Sequence, residues 1–233
     1  NGKLSQKGHV SEIAGDSLKI STFGKDTLVF INKQSSFYFP MSIAPVPFEG
    51  IGSENQPYLI KTKADLIALA KFCNVDGQLF PETYFKQTND IDLEYSPDFT
   101  GIANVSSDAH CRFAGIYDGG GYTIHRFKVP GLVWKTAPTE TTLGTPLTGN
   151  GGCEGYKGFF GRLDVDGVLK NLNFAADCDA LEAWASVGVA VGDNYGLIQN
   201  VRNYADITAV SCWVGGVAGM NEVEGRIIDC YNA

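Results

Sequence analysis

The last third of the chain repeats itself with a fixed period, and that period decides most of what the chain can fold into. Gly167-Val-Leu-Lys-Asn171-Leu172-Asn173 matches Gly196-Leu-Ile-Gln-Asn200-Val201-Arg202, and both match Gly225-Arg-Ile-Ile-Asp229-Cys230-Tyr231. The three glycines stand 29 residues apart, as do Trp184 and Trp213. A second block, Val187-Gly188-Val-Ala-Val-Gly192-Asp-Asn194, matches Val214-Gly215-Gly-Val-Ala-Gly219-Met-Asn221 at a spacing of 27. The two missing residues return between Asn221 and Gly225. A held period with small length changes in turns marks a stack of repeats.

The period selects the architecture. Each repeat holds short, β-branched, turn-bounded runs and no run of helix formers, which excludes helical repeats. A propeller blade needs about 40–45 residues, so 29 is too short. One turn of a parallel β-helix fits, with each strand about 4.8 Å above its counterpart. Equivalent positions then form ladders along the axis. Leu169, Ile198 and Ile227 form one inward ladder, and Leu172, Val201 and Cys230 another. Asn171, Asn200 and Asp229 form a polar ladder at a bend, where amides bond the rungs above and below. Gly167, Gly196 and Gly225 are expected at tight corners with φ > 0. Gly158-Phe-Phe-Gly161 and Phe113-Ala-Gly-Ile-Tyr-Asp118-Gly-Gly-Gly-Tyr-Thr-Ile124 read as degenerate rungs of the same form.

Residues 1–48 differ, and read as a short antiparallel β segment or the remnant of a preceding β domain. Val10 to Ile13, Ser17 to Thr22 and Thr27 to Ile31 read as short antiparallel strands separated by Gly-Asp and Gly-Lys-Asp turns. Phe39-Pro40 and Pro45-Val46-Pro47 form a stiff connector, with a domain boundary near Phe48–Ser53. The β-helix domain then covers 49–233. Pro57-Tyr-Leu-Ile60 is a strand. Thr62 and Asp65 open a helix over 63–74, with Leu66, Leu69, Ala70 and Cys73 on one face. Strands follow at 84–88 and 91–93. Residues 128–157, rich in Pro, Thr and Gly, read as a long loop inserted off the stack.

Composition narrows the partners. The chain has 28 Gly in 233 residues, without the collagen period, so the glycines belong to turns. The net charge of −8 argues against nucleic acid or an anionic membrane surface. The best apolar stretch, Ala185 to Gly192, is far too short to span a bilayer. The chain begins at Asn1 without a signal peptide, so a processed or trimmed form of something longer is open. Its end at Ala233 falls in mid-repeat, and further rungs, a partner or a swapped segment are expected to cover that strand edge.

The chemistry-bearing residues are few. Three histidines, His9, His110 and His125, supply a triad or a metal site poorly, and no cysteines lie in a C-x-x-C pair. No cofactor and no metal is expected. Asp90 with Asp92, and Asp164 with Asp166, are carboxylate pairs that suit glycoside cleavage or Ca²⁺, but turn and ladder capping explains them better. Trp184 and Trp213 stack as a structural ladder or make a sugar platform. Trp134, inside the insertion, is the better binding candidate, with Tyr117, Tyr122 and Tyr156 bordering it. Cys178, matched with Ile207, and Cys230 read as small core residues. Cys111 and Cys153, which flank the insertion, are the pair to test for a disulfide.

One family resemblance emerges from the order of motifs. Pro57-Tyr-Leu-Ile, Asp65-Leu-Ile-Ala-Leu-Ala, Thr88-Asn-Asp-Ile-Asp-Leu93, Phe113-x-Gly-x-Tyr-Asp-Gly-x-Gly-x-Thr-Ile124, Gly158-Phe-Phe-Gly161 and the Val-Gly-x-x-x-Gly-x-Asn blocks resemble the GLUG-motif proteins over about residues 50–233. These are adhesin-like surface or secreted proteins of bacteria. The resemblance implies a right-handed parallel β-helix capped by the 63–74 helix, and an extracellular or cell-surface location. The 128–157 insertion and the cysteines depart from the family pattern. The leading expectation is a non-enzymatic module that binds glycan or a host or cell-surface protein. The alternatives are a polysaccharide-degrading β-helix enzyme and a structural stalk segment.

Overall fold

The fold was read from a computed structural model, which describes residues 10–14, 17–20, 25–31, 36–42, 46–75, 77, 79–104, 111–128, 156–181, 186–208 and 213–233. Near the N-terminus, β1 (Val10–Ala14) pairs antiparallel with β2 (Ser17–Ile20). β3 (Lys25–Ile31) pairs antiparallel with β4 (Ser36–Ser42). The Phe39-Pro40 connector of the sequence reading is therefore a strand, with Pro40 opposite Thr27. A two-stranded ribbon has a free side on each strand, where a proline costs no ladder bond.

From Phe48 onward the strands pair in parallel, apart from one antiparallel bridge, Glu49 to Leu59. The first are β5 (Tyr58–Ile60), β6 (Tyr84–Gln87), β7 (Ile91–Asp92), β8 (Ile116–Asp118) and β9 (Thr123–His125), with the helix α1 (Lys63–Asn74) after β5. Then come β10 (Tyr156–Lys157), β11 (Phe160–Leu163), β12 (Val168–Phe174) and β13 (Asp179–Leu181). The next rung repeats them as β14 (Ser186–Gly188), β15 (Val191–Asn194), β16 (Leu197–Asn203) and β17 (Asp206–Thr208). The last holds β18 (Trp213–Gly215), β19 (Ala218–Asn221), β20 (Arg226–Ile228) and β21 (Tyr231–Asn232). The orders β5-β6-β8-β12-β16-β20, β10-β14-β18, β11-β15-β19 and β13-β17 make the chain an all-β parallel solenoid.

Both repeat spacings are strand registers. Leu169 pairs with Ile198 and Ile198 with Ile227, at 29 residues. Val191 pairs with Ala218 and Ser186 with Trp213, at 27. The match of Cys178 with Ile207 slips by two. Asp179 pairs with Asp206, so Cys178 lies level with Ala205. The corner before β13 is two residues longer than the one before β17, and the pattern over the strands does not reveal that. The ends of the expected insertion also belong to the stack: Lys128 bridges to Asp179 and Tyr156-Lys157 forms β10. Residues 129–155 lie outside the described set.

The corner glycines work differently from the expectation. Gly167, Gly196 and Gly225 are not at positive φ. A Cβ on Gly196 would lie 2.1 Å from the Gly167 carbonyl oxygen, and one on Gly225 2.3 Å from that of Asn194. These glycines let one rung's backbone close onto the next. The left-handed turn is taken four residues later, by Asn171, Asn200 and Asp229, at φ 55°, 51° and 53°. Among side-chain-bearing residues, Asn and Asp tolerate that region best. The expected polar ladder runs through the same positions. Asn200 Nδ2 donates to Asn171 Oδ1 and Asn171 Nδ2 donates to Asp118 Oδ1, each at 2.9 Å.

The core is aromatic at its N-terminal end and aliphatic further on. Phe85, Phe113, Phe159, Phe160 and Phe174 are fully buried, and the register Phe160–Val191–Ala218 shows the narrowing. Helix α1 packs on this end. Thr62 and Asp65 form a full capping box, and Leu66, Leu69, Ala70 and Cys73 bury the inner face. Leu66 and Leu69 are each worth about 1.5–3 kcal/mol by area removed from water. At the other end the ladder positions are open, with Ile227 42% and Val214 46% exposed.

Candidate functional site: a lateral groove across the rungs

The described residues form a groove of about 650 Å³ on the solenoid flank. Gly121, Thr123, Asn171, Asn173, Ala175, Ala176, Asn200, Arg202 and Tyr204 line it. Its floor is the second half of β12 and β16, just past the left-handed turn. Register builds one column across it: Thr123 pairs with Asn173, Asn173 with Arg202, and Arg202 with Tyr231. Parallel strands hold successive members about 4.8 Å apart. Small residues at Gly121, Ala175 and Ala176 keep the space open between these side chains.

The polar groups divide into those already used and those left over. The Asn171 amide is used in both directions by the ladder. Asn173 Nδ2 is anchored on the Gly121 carbonyl at 2.7 Å, which leaves Oδ1 as the outward acceptor. Tyr204 and Tyr231 expose 43% and 53% of their surface, and their ring centroids lie 5.9 Å apart. Arg112, Arg126 and Arg162 each face a carboxylate. Arg202 faces none among the described residues. Amides, a guanidinium and half-exposed phenol rings in a concave strip are the groups that hold hydroxylated ligands.

The sequence-predicted residues are not brought together. Tyr117 is a core residue, fully buried, with its hydroxyl donating to Gln87 Oε1 at 2.9 Å. Burial drives its pKa far up. Its register partner is the inward Leu169, so it points into the stack, and its place in a binding surface is corrected. Tyr122 is 37% exposed and borders the groove, where its backbone oxygen also meets Asn173 Nδ2. Tyr156 is on another sheet, with the Arg162 guanidinium 5.0 Å from its ring centre. Trp134, Trp184 and Cys153 lie outside the described residues. Cys111 is buried beside Cys73 and donates to its carbonyl oxygen at 3.4 Å. Cys178 is buried too.

Of the paired carboxylates, Asp90, Asp92 and Asp164 are committed to architecture. Asp90 accepts from the Thr123 N–H at 2.8 Å, and Asp92 accepts from Glu94 N–H and pairs with Arg126. Arg126 is also the main cause of Asp92's lowered pKa. Asp164 caps its own turn and pairs with Arg112. A more unusual acid is Asp193, fully buried on β15. Desolvation lifts its pKa to about 6, opposed by Arg162 and reinforced by Glu222. Arg162 Nε lies 3.1 Å away, close enough for charge pairing but off the line of a hydrogen bond. That guanidinium is also clasped by Tyr156 and Tyr195. Asp193 is fully buried, while Arg162 keeps 17% of its side chain exposed.

Among the described residues no group of three or more His, Cys, Asp or Glu could hold a metal ion. No described helix is long and apolar enough to cross a membrane.

No protein-family model matches the chain. A Gly-rich membrane protein of Evansella cellulosilytica, so described, is 32% identical over 155 residues, which is 65% of this chain and 15% of that protein. Halomucin of Haloquadratum walsbyi is 29% identical over 190 residues, 78% of this chain and 2% of halomucin. The chain thus spans a small fraction of each of these relatives. A crystal structure of a Bacteroides ovatus protein, described as an immunoglobulin A1 protease, aligns with a TM-score of 0.49 and 18% identity. That alignment covers 78% of this chain and 48% of the other.

Proposed function

We propose that this chain is an extracellular β-solenoid module of a cell-surface protein that binds glycan, without cleaving it, in the lateral groove. The observation that carries the reading is the lining itself. Asn173, Arg202 and Tyr204 present donors, acceptors and an aromatic face in one strip, with no carboxylate among the lining residues. Glycoside cleavage uses a pair of carboxyl groups across the scissile bond, and Asp90, Asp92 and Asp164 are held by backbone N–H groups or arginines away from the groove lining. The names of the relatives, a Gly-rich membrane protein and a halomucin, support a surface setting. So does the resemblance of the motifs to adhesin-like GLUG proteins.

A glycan array probed with the labelled chain tests the proposal. Retention of a defined subset of glycans by the wild type, lost in Tyr204→Ala and kept in Trp134→Ala, is the expected result. A folded chain that retains no glycan supports the stalk reading. Retention that needs Trp134 and ignores Tyr204 moves the site into the insertion.

A further inference from the structure

We infer that the groove takes an acidic saccharide, its anionic group held by the Arg202 guanidinium while its ring lies against Tyr204. The inference rests on the glycan reading above and names the ligand class.

The argument starts from charge. The chain carries −8 overall, so long-range attraction for an anion is absent and any anion must be met locally. Of the five arginines, all of them described, Arg112, Arg126 and Arg162 each face a neighbouring aspartate, and Arg226 is not among the groove's lining residues. Arg202 is exposed, lies inside the concavity and has no such neighbour among the described residues. A guanidinium offers five N–H donors in a planar fork, the shape that receives a carboxylate or a sulfate.

The surroundings fit the rest of a sugar. Below Arg202 in the column, the Asn173 amide is fixed by its bond to the Gly121 carbonyl, so its oxygen faces outward as an acceptor for a hydroxyl. Asn200 spends its NH₂ on Asn171, which leaves its oxygen for the same purpose. The Thr123 hydroxyl stands one rung further down. Tyr204, two residues along the chain and just past the end of β16, offers a ring, with Tyr231 against it. Asp229 stands above Asn200 in the ladder, so the charge next along that column is opposite in sign to Arg202. The groove therefore reads one charge per site, not a polyanion along its length.

Binding of the full chain to four probes tests this: an oligogalacturonide, its methyl ester, a sulfated galactan and a neutral galactan. Isothermal calorimetry reads the affinity, and circular dichroism confirms the fold of each variant. An acidic probe is expected to bind more tightly than its neutral counterpart, the oligogalacturonide and its ester separating carboxylate from sulfate as the preferred group. Arg202→Gln is expected to weaken that probe about tenfold, the scale of one charge-assisted contact, with Arg202→Lys in between and the neutral galactan unmoved. Equal binding of acidic and neutral probes, or an acid preference that survives Arg202→Gln, overturns the inference and leaves the glycan reading standing. No binding of any of the four probes by a folded chain overturns the inference, and the glycan reading falls with it only if the chain also retains nothing on the array.

Discussion

The left-handed Asn/Asn/Asp column makes a graded prediction about stability. Asn171, Asn200 and Asp229 share one backbone conformation but not one set of bonds. Asn171 is bonded on both sides, to Asp118 and from Asn200. Asn200 has one ladder bond, and Asp229, on the last rung, has none among the described residues. An alanine at any of the three pays the left-handed penalty of about 1 kcal/mol. Each lost ladder bond adds about 1 kcal/mol, less where water replaces it. Alanine should therefore cost about 3 kcal/mol at 171, about 2 at 200 and about 1 at 229. Glycine meets no left-handed penalty, so each Gly variant should recover about 1 kcal/mol relative to its Ala partner. Equilibrium urea unfolding followed by circular dichroism gives the six midpoints. Fluorescence of a second probe checks that one transition is being measured, since repeat arrays lose cooperativity. If Gly is as costly as Ala at all three sites, the turn is not held by the residue's backbone preference. If Asp229→Ala is the most costly, the ladder account is wrong.

Other perturbations separate the remaining claims. Gly196→Ala places a Cβ 2.1 Å from the Gly167 carbonyl oxygen, and should cost about 3 kcal/mol or more; a neutral result in thermal unfolding would mean the rungs do not close as described. Asp193 has its folded-state pKa raised from 3.8 to about 6, so the folded protein binds that proton more tightly than the unfolded chain. Its contribution is most favourable below about pH 4 and falls by about 3 kcal/mol as pH rises to 6. Asp193→Asn should flatten this part of the pH–stability curve, and an unchanged slope would remove Asp193 as its source. Lys157 is buried, with its amine donating to the Asn104 carbonyl at 2.9 Å and its pKa pushed down by desolvation. Lys157→Met should change stability by less than about 1.5 kcal/mol, and a larger loss would show the amine to be a structural tie. Appending one more Gly-x-x-x-Asn rung after Ala233 covers Ile227 and Val214 and should raise Tm by several degrees, about 2–4 °C per kcal/mol gained; no rise would mean the added rung does not stack.

The solenoid was legible because a 29-residue period has few physical realisations, and the inward ladder Leu169–Ile198–Ile227 fell out of it directly. The helix was legible from Thr62, Asp65 and four apolar residues at helical spacing. The corners were harder. Gly196 and Asn200 are both residue types that license a left-handed turn, and sequence does not say which one uses it. The φ of 51° at Asn200 and the 2.1 Å approach at Gly196 separate the roles. Cys178 was misaligned because turn lengths vary where strands do not. Tyr117 was recoverable: aligning Phe113–Ile124 onto the repeat sets Tyr117 on Leu169, an inward position. The groove carries no motif of its own, and Trp134 in the Pro-, Thr- and Gly-rich insertion is the stronger aromatic signal in the sequence. The available signal was the outward column Asn173, Arg202 and Tyr231, whose polar and aromatic members recur at the core's own period.

The close approach at Gly167, Gly196 and Gly225, followed four residues later by a residue fit for the left-handed turn, also acts as a frame mark. Drift accumulated in the corners, such as the two extra residues between Asn221 and Gly225, is reset each time the pair recurs. A duplicated DNA segment carrying one whole period inserts a rung that is already in phase with its neighbours. A segment carrying a broken period sets a side chain against a carbonyl oxygen and should destabilise the stack. Such a gene can change the length of its product in whole steps without redesigning either end.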